Sequence, residues 1–212
     1  MSSRDSGTRT RKAPSERRQE IVGTAARIGL TEGLECVTLR RVADTLGVQP
    51  GLVSHYFPAA DTLVAEAFTS ATRAELDGLL PDGPPGPGHE TPLSTLRRFF
   101  GLIACTEFDN VSKLWLNARH LSRYRPVLRD HVIEAETLWC RRIEQLIATG
   151  TDAGLFRCAD PRAAAIRVLV AIDGISAYIN SSADTRTAPI ADLARTVAET
   201  ELGLASGALA TS

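Results

Sequence analysis

A short run with three hydrogen-bonding side chains before a phenylalanine, SHYF at 54–57, lies near the centre of the segment VTLRRVADTLGVQPGLVSHYFPAADTLVAEAF (37–68). Hydroxyl, imidazole and phenol groups in series suit contacts with the base edges and phosphates of a nucleic acid. Around this run the apolar residues recur with helical spacing, and Gly47 separates two short helical patterns. The segment is therefore either an ordinary helical corner or a surface that contacts another molecule.

Two short helices joined by a turn account for this segment. Thr38 is suited to cap the first helix, and Gly47 ends it. Pro50 fits the first turn of the second helix, which ends at Phe57 before Pro58. Two short helices with a glycine in their three- or four-residue turn form the helix-turn-helix geometry, whose second helix can enter the major groove of DNA.

The outer face of the second helix carries the side chains that can read a nucleic acid. Gln49 suits paired hydrogen bonds to adenine, Leu52 suits contact with a thymine methyl group, and Ser54 suits a base edge. His55 and Tyr56 suit phosphate contacts. A buried structural hydrogen bond is the rival role for His55.

The composition places the chain among ordinary globular proteins. With 212 residues and 43% hydrophobic content, it can form one large domain or a small domain joined to a larger one. Its cysteines lack the spacing of a zinc site or of a secreted disulfide scaffold, and we expect reduced thiols, no metal and no cofactor. No signal peptide or membrane-spanning run is evident, which predicts a cytoplasmic protein with no membrane partner.

The first residues carry a positive charge that the net charge of -1 hides. The basic residues between Met1 and Arg18 are Arg4, Arg9, Arg11, Lys12, Arg17 and Arg18, against Asp5 and Glu16. We expect residues 1–14 to form a disordered basic arm in the absence of DNA. Such arms can lie in the minor groove of DNA when the protein is bound.

Helical patterns continue through the remainder of the chain, which predicts an all-α protein. A linking helix is expected from about Asp61 to Leu79, followed by the loop PDGPPGPGHETP (81–92). Longer amphipathic patterns after this loop form a second core. The helix AAAIRVLVAIDGISAYI (163–179) is apolar nearly all round, so it lies either against a second copy of the chain or wholly inside one monomer. We expect a homodimer interface formed by Ile166, Val170, Ile175, Ile179, Ile190, Leu193 and Val197.

From Glu16 to about Phe68 the chain resembles the DNA-binding domain of the TetR family of bacterial transcriptional regulators. The residues at the family's spacing are Ala25, Gly33, Thr38, Val42, Ala43, Gly47, Val48, Gly51, His55, Phe57, Pro58 and Leu63. The run SHYF resembles the BetI-type subgroup, which is typified by the choline-pathway repressor. The spacing of Trp115, GLF (154–156) and Asp173-Gly174 resembles the same subgroup.

The resemblance implies an all-α fold of about nine helices, with a three-helix helix-turn-helix DNA-binding domain at 15–60 and a helical ligand-binding and dimerisation bundle at 61–212. It also implies a ligand-responsive repressor that binds double-stranded DNA at a palindromic operator as a homodimer and is released by a small-molecule effector. Ala59 and Ala60 stand where the family usually has a capping hydroxyl and a phosphate-binding lysine. The residues expected to contact DNA are Thr38, Arg40, Gln49, Pro50, Gly51, Leu52, Ser54, His55 and Tyr56.

The expected ligand pocket lies between the fourth and eighth helices. Asp173 interrupts an apolar helix and needs a partner, which is an arginine, a backbone N–H group or a cationic ligand. Trp115 and Trp139 can form a cage for a quaternary ammonium group, and ordinary core packing is the alternative role for each aromatic side chain. The candidate ligand-binding residues are Phe68, Phe100, Ile103, Trp115, Asn117, Leu121, Tyr124, Trp139 and Asp173.

Two alternatives lack specific DNA binding. In the first, Cys105, the run NARH (117–120) and Asp173 assemble a nucleophilic site. The chain carries no phosphate-binding, dinucleotide or nucleophile-elbow motif, and we expect no catalytic residue. In the second, a ligand-binding protein has lost its DNA contacts, as indicated by Ala59 and Ala60. Salt separates these alternatives from a DNA-binding protein, because phosphate binding weakens steeply as the salt concentration rises.

Overall fold

The computed structural model describes residues 13–82, 90–105, 108–181 and 187–210. Within these ranges every regular element is a helix, which confirms the predicted all-α fold. The elements are α1 (Pro14–Glu32), a 3-10 turn (Leu34–Cys36), α2 (Leu39–Leu46), α3 (Pro50–Tyr56), α4 (Ala60–Leu79), α5 (Pro92–Ile103), α6 (Asp109–Ser122), α7 (Pro126–Asp152), α8 (Pro161–Ile179), α9 (Ala188–Ala191) and α10 (Leu193–Glu201).

The C-terminal end of the chain differs from the prediction. The stripe through Ile190, Leu193 and Val197 predicts a single last helix, but the chain forms α9 and α10 with a break at Asp192. The Asp192 carboxylate lies 2.7 Å from the Arg195 guanidinium at the first turn of α10, where a negative charge favours the start of a helix. The expected basic arm, apart from its last two residues, and most of the loop after α4 lie outside the described residues.

Local capping explains where α2 and α3 begin and end. Oγ1 of Thr38 accepts a hydrogen bond from the backbone N–H of Arg41 at 3.0 Å, as expected of an N-cap. Gly47 ends α2 in the left-handed conformation, with φ at 64°, which residues with a Cβ rarely adopt. Pro50 opens α3, where its missing N–H has no intrahelical role. The inner faces of the two helices bury Val42, Ala43 and Val53.

α4 belongs to both halves of the molecule. It packs against α1 on the helix-turn-helix side and against α6 and α7 on the side of the C-terminal bundle. Arg18 of α1 donates to Glu66 of α4 at 2.5 Å, and Thr69 of α4 is hydrogen-bonded to the His131 ring of α7 at 2.7 Å. Its buried residues are Leu63, Val64, Ala65, Ala67, Phe68, Ala71, Thr72, Leu76 and Leu79.

The bundle is organised around α7 and α8, which pack against each other, with α10 packed on α8. Asp160 caps α8, because its Oδ1 accepts the backbone N–H of Ala163 at 3.0 Å. Beyond α10, the buried carboxylate of Glu199 accepts the backbone N–H groups of Gly207 and Leu209 at 3.0 and 2.9 Å. This carboxylate holds the segment after α10 against the bundle.

Gly150→Ala is expected to destabilise the bundle. A Cβ at this buried position of α7 falls 2.1 Å from Cε2 of Phe156, whose ring is itself buried. Overpacking of this kind costs roughly 1–3 kcal/mol in the free energy of unfolding. The matched control is Gly78→Ala, since no atom lies within 4 Å of a Cβ at that exposed helical site. The control should gain roughly 0.5–1 kcal/mol, and urea unfolding that ranks the two variants in the opposite order contradicts this packing.

Candidate functional site

The first candidate surface is the outer face of α3 with the start of α2. Oγ of Ser54 donates to the carbonyl of Pro50 at 3.2 Å, which orients the hydroxyl along the helix. The His55 ring stands edge-on to the Tyr56 ring at 5.4 Å between centroids, and His55 is exposed rather than buried. The exposed residues of this surface are Thr38, Arg40, Gln49, Pro50, Gly51, Ser54 and His55, and the half-buried ones are Leu52 and Tyr56.

The two arginines of α2 have different surroundings. The Arg40 side chain is 87% exposed and lies 3.9 Å from Asp44, a loose surface pair that leaves it accessible to a phosphate. The Arg41 guanidinium is held at 2.7 Å by Glu32, and its hydrogen bond lowers the pKa of that carboxyl. At the start of α4, Ala59 provides no side-chain cap, and Asp61 supplies the negative charge of the first turn. Arg40 is therefore the more exposed and the more loosely paired of the two arginines.

The second candidate site is a cavity of about 360 Å³ inside the C-terminal bundle. Five helices, α4 to α8, contribute to its walls, and its volume is at the lower end of the range for small-molecule sites. Aromatic and aliphatic side chains predominate, with five charged groups among them. The lining residues are Glu75, Phe99, Ile103, Phe108, Ser112, Trp115, Arg119, Ile133, Glu136, Thr137, Trp139, Cys140, Arg162, Ile166, Leu169, Val170, Ile172, Asp173 and Ser176.

Several of the predicted ligand residues lie at a cavity. Ile103, Trp115, Trp139 and Asp173 line the cavity just described. Phe100 lines a neighbouring cavity of about 300 Å³ formed by residues of α5, α8, α9 and α10 and of the segment after α10. The two cavities adjoin, because they share the side chains of Ile103, Phe108, Ile172 and Ser176.

Three other predicted ligand residues lie elsewhere. Phe68 is fully buried, with its ring edge-on to Trp115 at 5.1 Å, so it supports the cavity wall from behind. Leu121 is half-buried and outside the lining of both cavities. Tyr124 is 72% exposed, beside the ring of His120. The apolar stripe of a helix indicates which helix carries these residues. It does not show whether a side chain lines a cavity, packs in the core or lies at the edge of the bundle.

Asn117 connects the bundle to the helix-turn-helix half. Its Oδ1 accepts the backbone N–H of Leu34 at 2.8 Å, whereas Trp115 and Arg119 of the same helix line the cavity. Two residues along a helix correspond to a rotation of about 200°, so Asn117 faces away from the side of α6 that carries Trp115. α6 therefore contacts the cavity on one face and the 3-10 turn after α1 on the other.

Glu75 is the most perturbed group in the cavity. One oxygen of its carboxyl group, Oε2, accepts a hydrogen bond from Nε1 of Trp115 at 3.0 Å. Burial raises the pKa of Glu75 from 4.5 to about 8, because the charged form loses its hydration. The Trp115 hydrogen bond opposes this rise, and the negative charge of Asp173 adds to it. At neutral pH the Glu75 side chain is therefore mostly protonated.

Arg119 is paired with the other two carboxylates of the cavity, Glu136 and Asp173, so that one positive charge is shared between two negative charges. Its Nε donates to Glu136 at 2.9 Å, and its two terminal nitrogens reach the two oxygens of Asp173 at 2.9 and 2.8 Å. The guanidinium also lies 5.1 Å from the centre of the Trp115 ring. Burial raises the pKa of Asp173, and the charge of Arg119 limits that rise. Asp173 is therefore paired with an arginine, which is one of the three kinds of partner predicted for it.

Two important cavity residues were missed by the sequence analysis. Glu75 lies seven residues after the buried Phe68 on α4, and Arg119 lies four residues after Trp115 on α6. A charged residue in register with an apolar stripe is the signal that identifies both. The indole Nε1 of Trp139 is a further feature, because it is buried and has no hydrogen-bond partner among the described residues.

The predicted dimer residues divide by exposure. Ile166, Val170 and Leu193 are 45%, 63% and 44% exposed, although all three are large and apolar. Ile133 of α7 is also exposed and lines the cavity together with Ile166 and Val170, so apolar surface surrounds the side of the cavity that reaches solvent. The remaining predicted dimer residues, all half-buried, are Ile175, Ile179, Ile190 and Val197.

The residues considered for a nucleophilic site have separate partners. Cys105 contacts the carbonyl of Gly101 through its sulfur, His120 contacts Tyr124, and Asp173 is paired with Arg119. In the described ranges, no group of three or more histidine, cysteine, aspartate or glutamate side chains is placed to hold a metal. None of the helices in the described part of the chain combines the length and apolar character needed to cross a membrane.

Comparison with known proteins gives a family match and a set of similar folds. The C-terminal domain of BetI-type transcriptional repressors matches residues 92–203, which is more than half of the chain. No curated protein matches the chain in sequence.

Three solved structures illustrate the similarity in fold. A TetR transcription regulator from Haloarcula marismortui has a TM-score of 0.71 and 20% identity, over 89% of this chain and 97% of that chain. A TetR-family regulator from Rhodococcus sp. has a TM-score of 0.69 and 22% identity, over 89% and 96%. A transcriptional regulator from Saccharomonospora viridis in complex with choline has a TM-score of 0.67 and 22% identity, over 86% and 94%. At these identities the similarity establishes the fold alone.

Glu75→Gln is expected to stabilise the protein increasingly as the pH rises. The raised pKa means that the folded state holds a proton on Glu75 that the unfolded chain releases near pH 4.5, so the wild type loses stability between about pH 4.5 and 8. Glutamine keeps an acceptor for Trp115 and cannot ionise. The stability difference should be near zero below pH 4.5 and reach a few kcal/mol, roughly 3, above pH 8. Denaturant unfolding from pH 4 to 9 measures this difference, and a constant difference contradicts the assignment.

Proposed function

The chain belongs to the TetR family of transcriptional regulators, with a C-terminal domain of the BetI type, and we propose that it is a ligand-responsive repressor. In this proposal a homodimer binds a palindromic operator in the cytoplasm, and a small molecule in the bundle cavity releases it. The observation that carries the proposal is the connection of an exposed helix-turn-helix surface to this cavity through α4 and α6.

DNA binding is assigned to the outer face of α3 and the start of α2. Gln49 and Ser54 are exposed and suit base edges, and Leu52 beside them suits a thymine methyl group. Arg40 is exposed and only loosely paired, so it suits a phosphate. Thr38 lies at the N-terminus of α2, where backbone N–H groups and the helix dipole favour an anion. These features support an operator contact that combines base readout with backbone positioning.

Homodimerisation is assigned to α8 and α10. Val170, Ile166 and Leu193 expose large apolar side chains, and burial of this surface against a second copy removes it from water. A two-fold axis beside α8 presents two α3 helices to one duplex, and they read a palindrome when their separation is close to the groove repeat of roughly 34–36 Å. The same partner would cover the exposed side of the cavity.

Effector control is assigned to the cavity and to α6. A ligand that contacts Trp115 acts on the helix whose opposite face binds Leu34 through Asn117. A shift of α6 therefore reaches the helix-turn-helix half directly, and a shift of α4 reaches it through α1. The coupling required is modest, typically about 1–3 kcal/mol between the two binding events. The choline complex of the Saccharomonospora viridis regulator supports a small organic molecule as the effector.

Selection of bound fragments from random and genomic DNA by the full chain is expected to enrich a palindromic site. The variant carries Gln49→Ala and Ser54→Ala, which remove exposed polar groups from α3 and leave the buried core unchanged. It should lose the sequence preference and keep the folded stability. Thr31→Ala, an exposed substitution near the end of α1, is the matched control and should enrich the same site as the wild type.

The outcome decides between regulation and its alternatives. Enrichment of one site by the wild type and the control, with affinity that falls steeply as salt rises, supports the repressor assignment. Retention of no DNA, or equal retention of all sequences by every variant, contradicts it. In that case the protein binds a small molecule in the cavity and does not bind an operator.

Val170→Asp is expected to dissociate the proposed homodimer. An aspartate at the centre of an apolar interface loses hydration without gaining a partner, so association should weaken by at least tenfold. Arg123→Asp, an exposed charge change at the turn between α6 and α7, is the control and should leave the dimer intact. Sedimentation velocity measures the oligomeric state. A wild type that is monomeric at micromolar concentration overturns the proposed interface.

A further inference from the structure

We propose that the corner between α6 and α7 is a second DNA-binding surface, at which Arg125 binds a phosphate of the duplex beside the end of α3. This inference rests on the proposed function for the presence of DNA at α3. It adds a backbone contact that the C-terminal bundle makes itself, outside the helix-turn-helix.

The corner lies beside the helix-turn-helix. Nη1 of Arg125 is 3.9 Å from Oδ1 of Asp61, which stands in the first turn of α4. Only residues 57–59 separate the end of α3 from the start of α4. Residues 58–61 are all exposed, so accessible surface leads from the end of α3 to Arg125.

The edge of the groove is where phosphates are expected. In helix-turn-helix proteins the N-terminal residues of the second helix contact the base edges of the major groove. α3 has seven residues, which corresponds to a length of about 10 Å. The chain therefore leaves the groove near the C-terminal end of α3, where the sugar-phosphate backbone borders it. An arginine at this place suits a phosphate, because its planar guanidinium can donate to two phosphate oxygens at once.

Positive charge is concentrated at this corner. Residues 121–130 contain Arg123, Arg125 and Arg129 against a single acid, Asp130. Residues 19–212 together carry a net negative charge, because the whole chain is at -1 although residues 1–18 are basic. The excess of arginine at the corner is thus a local feature of a bundle that otherwise repels DNA.

The backbone holds Arg125 in a fixed position. Its N–H donates to the carbonyl of Leu121 at 3.1 Å, and its own carbonyl accepts the N–H of Arg129 at 3.0 Å. The Arg129 side chain donates to the carbonyl groups of Ser122 and Arg123 at 3.1 and 3.3 Å, which closes the corner. A side chain on such a fixed backbone loses less conformational freedom when it binds.

The ion pair of Arg125 with Asp61 is weak enough to be replaced. The two side chains are 32% and 54% exposed, and a separation of 3.9 Å is longer than a hydrogen bond. A phosphate oxygen at hydrogen-bonding distance interacts more strongly with the guanidinium than this carboxylate does. Arg125 is therefore positioned by the corner and not consumed by its partner.

The corner also joins the two helices that flank the cavity. Arg119 of α6 and Ile133 of α7 line the cavity on either side of it. A ligand that changes the angle between α6 and α7 moves Arg125 relative to α3. The phosphate contact thereby gives the proposed effector a route to the DNA that does not pass through α4.

Fluorescence anisotropy of the full chain with labelled duplexes tests this proposal. The duplexes are the selected operator and a random-sequence duplex of the same length. Counterion release predicts that the slope of log affinity against log salt falls by about 0.9 for each lost phosphate contact, and by about 1.8 for a dimer. Arg125→Ala should therefore weaken binding to both duplexes, and its deficit should shrink by about twelvefold as salt rises from about 50 to 200 mM.

Three further variants distinguish a phosphate contact from a structural ion pair. Arg125→Lys keeps the charge and should retain most of the salt dependence. Asp61→Asn removes the acid that competes with the phosphate, so it should bind DNA at least as tightly as the wild type. Arg141→Ala changes an exposed arginine of α7, about 24 Å farther along that helix, and should behave as the wild type. Thermal unfolding verifies that each variant is folded.

The results separate this inference from the proposed function. An unchanged salt slope in Arg125→Ala, or equal losses of affinity in Arg125→Ala and Asp61→Asn, overturns the inference. If an operator is selected while the slope stays unchanged, the protein is a repressor whose bundle does not touch DNA. If the slope falls on the random duplex while no operator is selected, the corner binds the DNA backbone and the repressor function does not hold. A wild type that binds neither duplex contradicts both.

Discussion

The structure depends on the burial of one apolar stripe along α4 in two cores at once. Leu63, Val64 and Phe68 are almost completely inaccessible to water, and the helix packs against α1 on one side and against α6 and α7 on the other. Without α4, each half would expose to water apolar side chains that are now buried in its core. Because an α-helix is stiff over 20 residues, α4 is suited to the proposed effector control, in which a displacement at its cavity end reaches the helix-turn-helix half.

A second connection through α6 makes the link between the halves specific. The helix presents Trp115 and Arg119 to the cavity, and Asn117 bonds to the backbone of Leu34. The packing of α4 is mainly apolar and non-directional, whereas the hydrogen bond at 2.8 Å depends on the rotation of α6. These two contacts therefore differ in their sensitivity to geometry. α4 provides most of the packing between the two halves, whereas the hydrogen bond to α6 depends on the orientation of that helix.

The cavity keeps an unbalanced acid at a cost in stability. Burial of Glu75 raises its pKa to about 8, so at high pH the folded protein must hold a poorly solvated charge. A glutamine or an apolar residue avoids this cost, and in the same cavity the half-buried acids Glu136 and Asp173 are both paired with Arg119. Strongly perturbed groups in cavities often mark binding sites, because a ligand supplies the missing partner. Glu75 fits this description in its position, its perturbed ionisation and its aromatic surroundings.

The sequence by itself determined the all-α class, the cap at Thr38, the turn at Gly47 and the helix starts at Pro50 and Pro161, because each depends on local backbone chemistry or on the period of a few neighbouring residues. Among the residues that it indicated for a ligand site, Trp115, Trp139 and Asp173 line the cavity. Only the tertiary structure decided which of those residues share a cavity. The placement of Phe68 behind the wall, of Asn117 at Leu34 and of Glu75 beside Trp115 depends on the rotation of each helix against its neighbours. That rotation is set by side chains distant in sequence that fill a common volume, and helical periodicity carries no information about it.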